Sequence, residues 1–115
     1  MPAALTAQVH DTLLDRPAGG LRVQVYWVET AGEVLLRAAS TDDHGTTAAP
    51  LVSGPKLSAG VYKLVLHVGD YLHAAHADHA RCIDVLPVVF VLDDAAAGRH
   101  VRVSISPDGY AVRFT

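Results

Sequence analysis

Near the two ends of the chain stand the residues best suited to moving a proton or holding an anion. Gln8 and His10 lie two positions apart, and so do His100, Arg102 and Ser104, and again Ala111, Arg113 and Thr115. Side chains at i and i+2 of a β-strand share a face, so each set would present its members together if these segments are strands. A neutral imidazole can take a proton from water or from a substrate carbon. A guanidinium can hold a carboxylate or a developing oxyanion in bidentate fashion.

Other constellations carry less chemistry. His73, His76 and His79 recur every third residue, which on a helix puts them roughly on one face. Imidazole is the usual ligand of zinc and nickel, but such a row is also what a solvated face of an Ala/His-rich helix looks like, and no metal site is assigned to it. The single cysteine, Cys82, excludes an internal disulfide and a multi-thiolate metal site. Asp93-Asp94 sit in turn-forming sequence and read as turn residues; His44, in an Asp-rich turn, reads as a turn-stabilising or solvated residue, with a place at the mouth of a site beside Thr46 as the alternative. Tyr26 and Trp27 alternate on a strand, one toward the core and the other toward an interface or the surface, and imply no cofactor. No glycine-rich phosphate loop, nucleophile elbow or Cys/His metal pattern occurs.

The elements that must position these residues read as strands. Leu5–Asp11, Leu21–Glu29, Val34–Ala39, Gly60–His67, Ile83–Leu92, Val101–Ser106 and Tyr110–Phe114 are alternating or short apolar runs. Between them lie Arg16-Pro-Ala-Gly-Gly20, Thr41-Asp-Asp-His-Gly45, Ser53-Gly-Pro55, Asp93 to Gly98 and Ser106-Pro-Asp-Gly109, all turn chemistry. Seven or eight short strands with regular turns predict an all-β sandwich or barrel. One Ala-rich stretch breaks the alternation and predicts a short helix over Asp70–Ala77. At 115 residues the chain has room for one domain, residues 1–115, around one core. Half of it is hydrophobic and 18% is charged, but no apolar run is long enough to span a membrane, and Met1-Pro-Ala-Ala-Leu5 lacks the basic start of a secretory signal. The expectation is a soluble, cytoplasmic protein. A net charge of −3 without a basic patch argues against a nucleic-acid partner.

Several segments, taken in order, carry a family resemblance. Leu5-Thr-Ala-Gln-Val-His-Asp-Thr12, Arg16-Pro-Ala and Leu21-Arg-Val-Gln-Val25 resemble the opening of the transthyretin-like family, whose enzymatic members are 5-hydroxyisourate hydrolases. Thr41-Asp-Asp-His-Gly45, Gly60-Val-Tyr-Lys-Leu64, His67-Val-Gly-Asp-Tyr71 and Val85-Leu-Pro-Val-Val-Phe90 are similar to the family's loop, strand and helix motifs, and His100-Val, Ser106-Pro and Gly109-Tyr110 follow in register. The resemblance covers essentially the whole chain. It implies an eight-stranded sandwich of two four-stranded sheets with one short helix, assembled as a homotetramer, a dimer of dimers, with ligand sites in a central channel. It also implies a small-molecule substrate, no cofactor and a place in purine breakdown.

Carried over by position, the hydrolase signature is only partly present. The family's first-strand His falls on Gln8 and its loop Arg on Thr46, while its penultimate-strand His is retained as His100. The C-terminal Tyr-Arg-Gly-Ser is replaced by Ala111-Val-Arg-Phe-Thr115, which offers Arg113 and Thr115 in its place only with one residue deleted. Gln cannot act as a general base, and Thr brings no fixed positive charge. If Gln8 and His100 face the channel as the resemblance implies, the strand period adds His10, Arg102, Ser104, Arg113 and Thr115 to its lining. The expected site therefore has His100 as general base or acid, His10 as its partner and Arg102 and Arg113 as anion clamps, with Gln8, Thr46, Ser104 and Thr115 binding substrate. The expected function is cofactor-free acid/base chemistry on a small polar cyclic amide or anion: hydrolytic ring opening, ring closure or rearrangement. The alternative is a non-catalytic binder of a small ligand.

Overall fold

The computed structural model describes residues 3–80 and 82–115; Met1, Pro2 and Arg81 lie outside the described residues. Two sheets face one another across an apolar core. The first holds β1 (Ala4–Asp11), β2 (Arg16–Pro17), β5 (Val52–Ser53), β8 (Arg99–Ser106) and β9 (Gly109–Phe114), in the order β2-β1-β8-β9 with β5 also pairing on β1. The second holds β3 (Arg22–Glu29), β4 (Gly32–Ser40), β6 (Gly60–Leu66) and β7 (Leu86–Leu92), in the order β4-β3-β6-β7. One helix, α1 (Val68–Ala75), follows β6. Sequence reasoning located every longer strand. It missed β2 and β5, two-residue pieces with no periodicity to read, and together they bring the first sheet from three strands to five.

Alternation decides which face of each strand meets the core. Leu5, Ala7 and Val9 of β1 point inward and are buried, as are Val101, Val103 and Ile105 of β8. Across from them Val23 and Val25 of β3, Leu64 and Leu66 of β6, and Phe90 and Leu92 of β7 close the other side. Each such Val, Leu, Ile or Phe side chain contributes roughly 1.5–3 kcal/mol when fully buried. At the centre lies Tyr62, fully buried, its ring stacked on Phe90 at 5.9 Å and met edge-on by Trp27 at 5.1 Å. Its hydroxyl donates to the Ser58 carbonyl (2.7 Å) and accepts from the Ser58 N–H (3.1 Å), so no polar atom is stranded. Trp27 is thus the core-side member of its pair. Tyr26 lies outward under Lys63, whose Nζ is 5.0 Å from the ring centre.

Both ends of the helix and the start of β7 move. The helix starts two residues earlier than expected and ends at Ala75, with His76 as its C-cap. β7 starts only at Leu86, because the preceding residues serve the helix: the Gly69 N–H donates to the Asp84 carbonyl at 2.7 Å. The spacing of three also does not place the histidines together. His73 and His79 are exposed, whereas His76 turns inward, and among the described residues no group of three ligating side chains comes together.

Candidate functional site

β1 and β8 run parallel and side by side, pairing Thr6 with His100, Gln8 with Arg102 and His10 with Ser104. β8 and β9 run antiparallel, pairing Arg102 with Arg113 and Ser104 with Ala111. Directly paired residues share a face. Because Val101, Val103 and Ile105 are committed to the core, the alternate residues of all three strands project from the outer face. His100, Arg102, Ser104, Gln8, His10 and Arg113 therefore form one surface. Thr115 joins it at the edge, exchanging two backbone hydrogen bonds of 2.9 Å with His100.

The loop after β4 completes this surface. Thr46 forms a bridge with Gln8, and the Val9 N–H donates to the Gly45 carbonyl at 2.9 Å. Gly45 has φ +76°, and a Cβ there would run into the Val9 carbonyl oxygen, so the close approach requires glycine. Asp42 shapes the turn by accepting from the His44 N–H (2.9 Å) and from both the N–H and the hydroxyl of Thr46 (3.3 Å each). These bonds, led by the one from His44, hold the Asp42 carboxyl below its usual value. Thr46 is thereby fixed beside Gln8, and His44 remains exposed.

Two features of the face bear on chemistry. Arg102 and Arg113 stand directly opposite one another, and among the described residues neither has a carboxylate partner. Like charges so placed repel, and a bound anion would relieve that repulsion. With Ser104, Ala111 and Val112 they line an open depression of about 310 Å³, near the lower end of the range for small-ligand sites. His100 does not line it but stands two residues along β8 from Arg102 on the same face, part-buried, with Nδ1 2.7 Å from the Thr6 hydroxyl. Thr6 was not foreseen as a site residue, although the period that links Gln8 to His10 also places Thr6 on this face.

One expected pairing does not form within the chain. His10 and His100 sit four strand residues apart in the shared register, roughly 13 Å at about 3.3 Å per residue. His10 instead contacts Asp15, Nε2 to Oδ1 at 3.1 Å.

A second polar cluster lies at the opposite end of β1, under α1. Asp11 is fully buried, and its carboxylate accepts from the Tyr71 hydroxyl and His76 Nε2, each at 2.7 Å, and from the N–H groups of Leu13 (3.0 Å) and Leu14 (3.1 Å). Burial pushes this carboxyl up, but the bonds from Tyr71, Leu14 and His76 outweigh burial and hold it below its usual value. Tyr71, desolvated and bonded to an anion, is pushed up to about 12. The carboxylate has no free lone pair aimed at solvent, so the cluster ties the helix to the sheet and is not a reacting group.

The fold and sequence both have known relatives. The profile of the HIUase/Transthyretin family matches residues 5–113. The chain is 36% identical over 109 residues to 5-hydroxyisourate hydrolase 2 of Rhizobium meliloti, covering 93% of this chain and 91% of that one. It is 35% identical over 114 residues to the 5-hydroxyisourate hydrolase of Halalkalibacterium halodurans, covering 96% of each. Among solved structures it superposes on an (S)-allantoin synthase with a TM-score of 0.92 at 22% identity, over 99% of this chain and 44% of that one. It also superposes on sea bream transthyretin in complex with thyroxine with a TM-score of 0.88 at 20% identity, over 98% and 95% of the two chains. With a family profile spanning nearly its whole length and hydrolase relatives above 30% identity, the chain belongs to the HIUase/transthyretin family.

Proposed function

We propose that this protein is a cofactor-free enzyme that opens a small cyclic amide by hydrolysis, on the outer face of the β1-β8-β9 sheet. The observation that carries the reading is the pair Arg102 and Arg113, without a carboxylate partner among the described residues, over one depression, with His100 two residues along β8 from Arg102 on the same face. The hydrolase activity of the relatives supports the reaction class. Water would attack the ring carbonyl while His100 takes its proton. The arginines hold the oxygen as it becomes anionic, and the proton passes to the departing ring nitrogen. Gln8, Thr46, Ser104 and Thr115 would bind the polar edge of the substrate. His10, at the far end of the face, would reach the reacting atoms only when a second copy of the sheet is opposed to the first, as in the tetramer with a central channel that we also propose.

Incubation of the purified protein with 5-hydroxyisourate, followed by its absorbance decay, tests this reading directly. We expect turnover above the spontaneous rate, a loss on the order of 10²–10⁴-fold in His100→Ala, and a smaller loss in His10→Ala. Full turnover in both variants would sink the mechanism.

One observation favours a second reading. Gln8 and Thr46 stand where the family's hydrolases have a base and a fixed cation, while the arginine pair is exposed and without a carboxylate partner. That arrangement suits a binder of small anions without turnover. Thermal-shift screening with small carboxylates and purine-breakdown products would then show stabilisation while 5-hydroxyisourate decays at its spontaneous rate.

A further inference from the structure

We propose that Thr6 is a positioning residue for His100: its hydroxyl accepts a hydrogen bond from Nδ1–H and leaves Nε2 as the basic nitrogen facing the open surface. This rests on the reading of His100 as the proton acceptor of the site. The contact itself is geometric, with Thr6 Oγ1 2.7 Å from Nδ1 across the directly paired positions of β1 and β8. Both partners are held rigidly. Thr6 is β-branched, so its χ1 is stiff, and it sits between Leu5 and Ala7, both buried in the core. His100 is fastened on its other side by two backbone hydrogen bonds of 2.9 Å to Thr115.

The direction of the bond follows from the chemistry required. An imidazole can accept a proton from water only through a nitrogen with a free lone pair, and which nitrogen is free depends on what the other is bonded to. Among the described residues Nε2 has no hydrogen-bond partner, and Nδ1 has one, Thr6. For Nε2 to be the base, Nδ1 must carry the proton, and a threonine hydroxyl has the lone pairs to receive it. After Nε2 is protonated the same Nδ1–H bond persists, so the ring need not move between accepting a proton from water and returning it to the leaving nitrogen. An unconstrained imidazole favours the opposite tautomer, with the proton on Nε2. Thr6 thus holds the less common form.

Long-range ¹H–¹⁵N correlation spectra of the imidazoles, recorded on histidine-labelled full-length protein with the His100 signals assigned from His100→Asn, read the tautomer without any substrate. We expect the Nδ1–H form in the wild type, a change to the Nε2–H form in Thr6→Val, and recovery in Thr6→Ser. An Nε2–H wild type, or a tautomer unchanged by Thr6→Val, overturns the inference. A kinetic arm uses 5-hydroxyisourate as the probe, with kcat falling roughly 10- to 100-fold in Thr6→Val at little change in KM and returning in Thr6→Ser. If His100→Ala leaves hydrolysis intact, the reading of His100 as base fails, while the spectra still decide whether Thr6 sets its tautomer.

Discussion

Arg102 and Arg113 face each other across β8 and β9 at a spacing where two guanidiniums repel, and their effect on stability should oppose their effect on binding. Replacing Arg113 by Gln removes the repulsion and keeps a polar side chain. The unliganded protein should then become slightly more stable, by about 0.2–1 kcal/mol, as read from thermal unfolding. The same variant should lose affinity for a small carboxylate by about 1.5–3 kcal/mol, the worth of a hydrogen bond to a charged group. Salt should raise the melting temperature of the wild type more than that of Arg113→Gln, because it screens an exposed like-charge pair. A variant that melts lower and binds unchanged would show that the pair serves packing instead of ligand.

The junction between β1 and α1 gives the clearest pH dependence. Asp11 has its carboxyl held below its usual 3.8, so the ionised form is favoured by folding. Its contribution is complete above the unfolded value near 3.8 and is lost as the pH falls from there through the lower native value. Asp11→Asn should destabilise the protein by about 1–3 kcal/mol at neutral pH and flatten the acid limb of a stability-against-pH curve, with Asp42 still contributing in the same window. Tyr71 works in the opposite direction. Raised from 10.0 to about 12, it stabilises the fold below pH 10 and that contribution disappears as the pH climbs through about 12. A spectroscopic tyrosinate titration of wild type against Tyr71→Phe should show one late-titrating phenol missing from the variant. None of this junction was legible in the sequence. Asp11 read as the polar end of a strand and His76 as one of a row of helix histidines, because their partners lie 60 and 65 residues apart along the chain. The strands were legible for the opposite reason: Leu5, Ala7 and Val9, or Val101, Val103 and Ile105, declare their face by alternation alone. The same alternation placed Gln8, His10, His100, Arg102 and Ser104 on one surface, but it could not give the register that separates His10 from His100 or bring Thr6 against Nδ1.

At the scale of the whole molecule, the two sheets leave their edges on the same side. β7 ends the second sheet and β9 the first, and Phe90 of β7 meets Phe114 of β9 with ring centres 5.3 Å apart. That side carries Val89 and Val91, each more than 60% exposed, together with Tyr110 and Phe114. An edge strand with unpaired backbone groups and apolar side chains is a template for another strand, and natural monomers blunt such edges with charge. These four side chains are uncharged, and self-association through this side would cover them. Sedimentation should accordingly show a species heavier than the 12.2 kDa chain, at four times that mass if the proposed tetramer forms. Val89→Lys places a charge on the exposed edge without touching the core and should shift the species toward smaller assemblies. His100→Ala, on the outer face of the other sheet, should leave that association unchanged. If His10 acts only across a channel between opposed copies, the effect of His10→Ala on turnover should fade as dilution separates the copies, while that of His100→Ala stays in place. A wild type that sediments as a single chain and still turns over substrate would place the entire reaction on one face of one sandwich, with His10 outside it.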